Sequence, residues 1–233
     1  SLMARLQQRM DREHEFLVDA AHELKTPLAV VQLGAEALDQ GDDRAREEAR
    51  ERLRRGVQRA THTVHQLLAL ARSGADALEL SKCHHDLVDL LRERIALSSG
   101  LAVQRRIELE LDSPDHLEMW LNRESMGSLV DNLVDNAVKY SPDAGHVAVS
   151  LSDEGEAIVL RVSDQGPGIP AELRQRVFER FVRLDGARCH GSGLGLTIVE
   201  RAAEQHGARV ALMDGPAGVG LTVEVRFPKG LGT

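Results

Sequence analysis

Residues 132–140, NLVDNAVKY, place Asn132, Asn136, Lys139 and Tyr140 on one helical face by steps of four, three and one. An asparagine carbonyl oxygen is a neutral hard ligand. It suits Mg²⁺, which keeps phosphate oxygens and waters in its octahedron. Lys139 supplies a point charge for phosphate. DQGPGIP (164–170) follows a strand pattern. Asp164, when ionised, only accepts hydrogen bonds, so it fits the exocyclic amine of adenine and repels the guanine carbonyl. Gly166 and Gly168 let the backbone pass close to a flat base. GSGLGL (191–196) precedes a helix. Its Gly191, Gly193 and Gly195, with Leu194 between them, leave backbone N–H groups bare at a helix start, which favours anions. Arg180 and Arg183 in FERFVR are placed to reach a triphosphate, while Phe178 and Phe181 pack that segment down. Each stretch alone also has a plain reading: a solvated helix face, a tight turn, a glycine-rich loop.

A fourth stretch is FLVDAAHELKTPL (16–28). Leu17, Ala21, Leu24, Leu28, Val31, Ala35 and Leu38 alternate steps of four and three, the heptad spacing of a helix whose seam meets other helices. His22 follows a seam residue, about 100° round the helix, and so belongs to a flank open to solvent or to another domain. Pro27 removes the bond its N–H would have given to the Glu23 carbonyl, which bends or loosens the helix one turn past His22. A flank imidazole, with an unperturbed pKa of about 6.5, is mostly neutral and nucleophilic near neutral pH. Its other ring nitrogen needs an acceptor. On a straight helix Asp19, three residues earlier, faces it better than the adjacent Glu23. Thr26 lies one turn beyond His22 on the same face.

These residues need elements to hold them. Residues 2–15 are helical in pattern and highly charged, and Met3, Met10 and Leu17 keep the seam's phase. This helix is expected to begin upstream of the first residue, with Ser1 a cloning remnant. DQGDD (39–43) is a turn signal, with Asp42 or Asp43 as the next cap. A second helix to about residue 72 repeats the four–three spacing at Leu53, Val57, Ala60, Val64, Leu67 and Ala71. The two form an all-α antiparallel hairpin, and a homodimer closing a four-helix bundle would bury both seams. RSGAD (72–76) reads as a linker. Beyond it the patterns predict a helix at 86–98, strands near 105–111 and 117–121, and a helix capped by Asn122 that runs to Tyr140. Strands at 146–152 and 157–163 follow, then a short helix near 171–178, a helix near 194–206, and strands near 208–213 and 219–227. That order makes a two-layer α+β domain with a mixed sheet.

Composition narrows the partners. The 233 residues are 42% hydrophobic and 28% charged, with a net charge of −8. This balance argues against nucleic acid or anionic lipid as the main partner, since both need clustered cations. No apolar run approaches the roughly 18 residues of a membrane span, and no signal peptide opens the chain. The two cysteines, Cys83 and Cys189, build no disulfide framework. Cys83-His84-His85 and Cys189-His190 carry metal-ligand types, yet no second cluster at ligand spacing completes either site. His62 and His65 read as solvated or bundle-edge residues, and Trp120 as packing at a strand end.

In this order and spacing the stretches together resemble the sensor histidine kinases of bacterial two-component systems. Those kinases belong to the GHKL group of ATPases, which share the Bergerat fold. The resemblance covers nearly the whole chain: an H-box (HELKTP, 22–27), an N-box (132–140), a G1 box (164–168), an F-box (178–183) and a G2 box (191–196). The H-box discriminates best, because the other GHKL members lack it. The resemblance implies that His22 accepts phosphate from ATP, that Glu23 holds its second nitrogen, and that Thr26 places a water for dephosphorylating a partner. It implies that Asn136, with Asn132 nearby, holds Mg²⁺ against the phosphates and that Lys139 contacts phosphate. Tyr140 would border the nucleotide, and Asp164 would bind the adenine amine. Residues 191–195 would hinge a lid, small because 184–190 is short.

The implied division is 1–15, an N-terminal signalling helix; 16–73, a dimerisation and histidine phosphotransfer domain; and 74–233, a catalytic ATP-binding domain. The implied partners are a second copy of the chain and the receiver domain of a response regulator. A membrane would enter only through segments absent from this chain, the cytoplasmic portion of a bacterial inner-membrane protein. Gln165 stands where the family often has Asn or another polar residue, a minor departure that puts nothing essential in doubt. The competing reading is a GHKL-type ATPase conformational switch without phosphotransfer. A third is a non-catalytic nucleotide-sensing module.

Overall fold

Apolar periodicity sets the first two helices. The computed structural model describes residues 2–38, 43–71, 81–183 and 192–229. In it α1 runs Leu2–Leu38 and α2 runs Asp43–Ala71. Of the turn expected at 39–43, with Asp42 or Asp43 as cap, residues 39–42 lie outside the described residues, as does the linker at 72–76, while Asp43 is the first residue of α2. The chain divides into two compact units, Ser1–Ala71 and Arg72–Thr233.

In the first unit α1 and α2 pack as a hairpin, and the line buried within it runs beside the predicted seam, which the expected homodimer would cover. Ala20, Pro27 and Gly34, spaced by seven, are buried on α1, and Ala49, Gly56 and Thr63, again by seven, are buried on α2. Leu24, Val31, Leu53 and Leu67 are half-buried, whereas Ala21, Leu28, Ala35, Val57 and Val64 are exposed. The predicted stripe therefore straddles two faces. Small residues decide the closest approach: a Cβ on Gly34 would lie 3.2 Å from the Leu53 backbone, and one on Gly56 would lie 3.0 Å from Val31 Cγ2. Large side chains are left on the flanks of that contact. Pro27 sits inside α1 without ending it.

In the second unit, β1 (Cys83–Asp86), a strand that no local signal announces, pairs antiparallel with β3 (Glu118–Leu121). Asp86 then caps α3 (Leu87–Gln104), accepting from Val88 N–H at 2.9 Å. This helix continues past its expected end through Ser98, Ser99 and Gly100. Ser99 Oγ donates back to Ala96 O at 2.7 Å, and Ala102 is buried beyond, so the core holds the last turn. Arg105 and the left-handed Arg106 (φ 55°) close it, which starts β2 (Glu108–Asp112) later than predicted.

Asn122 caps α4 (Arg123–Tyr140) as expected, its side chain accepting from Ser125 N–H at 2.7 Å. β4 (His146–Asp153), β5 (Ala157–Ser163), β6 (Arg209–Asp214) and β7 (Leu221–Pro228) complete the sheet, with α5 (Gly195–Gln205) before β6. Strand order is β2-β4-β5-β7-β6, with β2 parallel to β4 and the rest antiparallel. Alternation sends Val147, Val149, Leu151, Leu160, Val162, Val225 and Phe227 into the same apolar core as the inner faces of α3, α4 and α5. The opposite face carries charge, with Arg161 bound to Glu154 and Glu224 at 2.8 and 2.7 Å. The helix expected near 171–178 is instead two 3₁₀ turns, Ala171–Leu173 and Arg176–Phe178. Only Val177 is buried there, too little apolar surface to hold a full helix.

Candidate functional site

The antiparallel pairing of α4 and α5 builds the phosphate end. At one end Ser125 Oγ donates to Gln205 Oε1 at 2.7 Å, and Asn122 N–H donates to His206 Nε2 at 3.1 Å. At the other, the first residue of α5 meets the N-box. Asn132 is 6% exposed and its Nδ2 donates to Ser128 O at 2.8 Å. A Cβ on Gly195 would lie 3.0 Å from Asn136 Nδ2 and 3.3 Å from Asn132 Oδ1. Leu194 precedes α5 without a side-chain cap. The first-turn N–H groups therefore need a partner from outside the helix, at the end that favours an anion. Leu194, expected among the cofactor-binding residues, is fully buried, and its N–H donates to Ser192 Oγ at 3.3 Å, so it anchors the start of α5 from inside. Lys139 and Tyr140 close α4; Lys139 Nζ donates to Tyr140 Oη at 3.4 Å and sits 4.8 Å from the ring centroid.

Asp164 builds the base end. It is 7% exposed, and its Oδ1 accepts from Gly166 N–H at 2.7 Å and Leu221 N–H at 3.2 Å. Both hydrogen bonds go to one oxygen, which leaves Oδ2 to take a ligand amine. Burial pushes this carboxyl above the ordinary carboxylate range, against the downward pull of the two N–H donors. Gly166 is required by closeness, since a Cβ would lie 2.8 Å from Tyr140 O. That contact seats the G1 loop against the end of the N-box helix. Gln165 Oε1 accepts from His146 N–H at 2.9 Å, so this departure from the family pattern serves the loop.

The F-box is tied to the G2 segment. Phe181 N–H donates to Gly193 O at 3.0 Å, and a Cβ on Gly193 (φ 71°) would lie 2.7 Å from the Phe181 backbone. Thr197 Oγ1 donates to Phe178 O at 2.8 Å. Arg180 and Arg183 are exposed beside this junction. Gly191, Cys189, His190 and the expected small lid lie outside the described residues.

His22 and Glu23 lie in α1, as does Asp19, but their side chains are outside the described residues, so the expected exposure of the imidazole is not part of this geometry. Thr26 is exposed and Pro27 is buried. A hollow of about 200 Å³ beside them is lined by Pro27, Val30, Arg52, Arg55 and Gly56. In the second unit a hollow of about 380 Å³ is lined by Arg174, Gln175, Phe178, Glu200 and Leu212, and does not touch Asp164. The nucleotide site is thus defined by its donors, acceptors and missing Cβ atoms rather than by that hollow.

Two contributors carry no motif. A Cβ on Gly220 (φ 83°) would fall 1.8 Å from Asp164 O, so only glycine lets β7 start beside the aspartate. The run GPAGVG (215–220) was its available signal. Arg105 binds the end of the N-box helix and had none. Among the described residues no group of three or more His, Cys, Asp or Glu could hold a metal ion. Trp120 is exposed on β3, edge-on to His84 at 5.1 Å.

A helical hairpin bearing the H-box, joined to a mixed-sheet domain with N, G1, F and G2 boxes, defines a histidine kinase core of the GHKL class. Residues 12–76 match the His Kinase A (phospho-acceptor) domain family. Residues 122–231 match the histidine kinase-, DNA gyrase B- and HSP90-like ATPase family. The sensor protein kinase PmrB of Pseudomonas aeruginosa is 36% identical over 98% of this chain and 48% of its own length. The solved mycobacterial sensor histidine kinase MprB is 31% identical, with a TM-score of 0.56 over 63% of this chain and 97% of that one. The structure of full-length ShkA is 27% identical, with a TM-score of 0.66 over 92% of this chain and 45% of that one. The chain belongs to the sensor histidine kinase family. It spans about half the length of the curated relatives it matches, as with the 48% of PmrB. Among the described residues no helix is long and apolar enough to cross a membrane.

Proposed function

We propose that this chain is the catalytic core of a dimeric sensor kinase that moves the γ-phosphoryl group of ATP to His22. The group then passes to an aspartate on the receiver domain of a response regulator. The observation that carries the reading is the meeting of Asn132, Asn136 and Gly195 at the open N-terminus of α5, in a chain that also bears the H-box. Mg²⁺ fits this donor set: Asn136 offers a neutral oxygen, and the missing Cβ of Gly195 leaves room beside it. Held there by Asn136, with Asn132 nearby, the ion would supply positive charge to offset that of the phosphates. Asp164 Oδ2 takes the adenine amine and Tyr140 borders the nucleotide. Lys139, Arg180 and Arg183 pair with the phosphates, and the 191–195 segment hinges over them. Likeness to ShkA, solved in complex with AMPPNP, supports the nucleotide assignment.

One His22 ring nitrogen attacks the γ-phosphorus in line, a P–N bond forms, and the bond to ADP breaks. Glu23 holds the proton on the other nitrogen. Thr26 places a water that removes phosphate from the regulator. A second copy suits the first unit, which leaves Leu28 52% exposed together with Val57, Val64 and Leu68. We divide the chain at residues 15 and 73 into signalling helix, phosphotransfer domain and ATP-binding domain, with any membrane anchor lying in segments not in this chain. The ATPase-switch alternative is not favoured, because residues 12–76 match a phospho-acceptor family.

The test is incubation with γ-labelled ATP and Mg²⁺. The protein should take up an acid-labile, alkali-stable label that is absent from His22→Gln. Label that survives acid, or that persists in the variant, overturns the proposal.

A further inference from the structure

The last carbonyls of a helix have no donor within the helix and must find one elsewhere. In α4 that end carries Lys139 and Tyr140, and its carbonyls are met by a residue from another helix end. Arg105 Nη1 donates to Val138 O at 2.6 Å and to Lys139 O at 2.9 Å. Its Nη2 donates to Ser141 O at 2.8 Å, and its Nε to Asp143 Oδ1 at 2.8 Å. All three guanidinium nitrogens are thus committed, and the planar fork spans carbonyls that an ammonium could meet only one or two at a time. The charge also sits at the negative end of the α4 dipole. The Arg105 backbone joins the same knot: its carbonyl accepts from Ala144 N–H at 2.9 Å. The loop so anchored leads to His146, whose N–H is held by Gln165 beside Asp164.

We propose that Arg105, which lies in none of the motif boxes, is a positioning residue for the nucleotide. It holds the last turn of α4 in register with the Asp164–Gly166 loop, so that Lys139 and Tyr140 present themselves to the ligand. The contact between the Gly166 position and Tyr140 O leaves no slack for that turn to slide. The inference rests on the nucleotide site proposed above. It adds that the site's geometry is set from the end of α3.

The test uses the full chain, Mg²⁺ and trinitrophenyl-ATP as the binding probe, with ATP in the kinase assay. Arg105→Ala should weaken probe binding and raise KM for ATP about tenfold or more, since charge-assisted bonds are lost. The value of kcat at saturating ATP should change by less than about threefold, because no group that touches the reacting atoms is removed. Arg105→Lys keeps the charge, is the safer variant for folding, and should restore only part of the affinity. In a Lys139→Ala background the Arg105→Ala effect should shrink, because both act through one turn; a residue needed only for stability would give independent, additive effects. Unchanged affinity in both Arg105 variants, or strict additivity with Lys139→Ala, overturns the inference while leaving the site intact. Absence of probe binding in the unaltered chain overturns the nucleotide site itself, and the inference with it.

Discussion

Gly195 and Asn136 share one volume: a Cβ on the glycine would lie 3.0 Å from the asparagine Nδ2, closer than side chains ordinarily pack. The glycine of the G2 box therefore sets where the N-box amide can sit. Gly195→Ala should push Asn136 by tenths of an ångström and raise KM for Mg-ATP by about tenfold to a hundredfold, the usual cost of misplacing a positioning group. Asn136→Ala should abolish the Mg²⁺ dependence of nucleotide binding. Nucleotide titrations at several Mg²⁺ concentrations check both.

Asp164 separates stability from recognition. Its carboxyl is held above the ordinary carboxylate range, chiefly by burial. The folded chain thus keeps this proton to higher pH than the unfolded chain. Ionisation costs stability as pH rises through that window, and the cost stays constant above it. Asp164→Asn keeps an oxygen for Gly166 N–H and Leu221 N–H and removes the cost. The variant should be at least as stable as the parent near pH 7, with the difference shrinking as pH falls towards about 4 and gone below it. Its second atom becomes a donor, so ATP binding should be lost and the preference should move toward GTP. Urea unfolding at the two pH values, beside ATP and GTP titrations, measures both effects.

In the hairpin, the Gly34 position faces the Leu53 backbone, which cannot turn aside as a side-chain tip can. Gly34→Val should force α1 and α2 apart and cost about 1–3 kcal/mol by overpacking. Gln32→Ala, on an exposed position of the same helix, should stay within about 0.5 kcal/mol. Thermal unfolding followed by helix ellipticity distinguishes them.

Glu23 and Asp19 are the two candidates to orient His22 in the proposed transfer. Glu23→Gln should slow autophosphorylation far more than Asp19→Asn; the reverse order would assign the acceptor to Asp19. Thr26→Ala, on an exposed site, should lower phosphatase activity toward the regulator and leave autophosphorylation in place. Equal loss of both activities would assign Thr26 to the kinase step.

Local chemistry made much of this protein legible from residue order alone. Periodicity named the long helices but not the two 3₁₀ turns within 171–178, alternation named the central strands, and Asn122 marked the start of α4, because each of these signals acts within a few residues. The motif boxes were legible for the same reason, since each is a short run. The tertiary structure alone decided what depends on distant partners. It buried Ala20, Pro27 and Gly34 on α1, because small residues let the two helices of the hairpin approach closely there. It made a strand of Cys83–Asp86, because that backbone pairs with residues 118–121. It brought Gly220 against Asp164, and it set Arg105 on carbonyls 33 to 36 residues further along. Hydrogen bonds and close contacts of that reach are satisfied only once the chain has folded, so no window of sequence contains them.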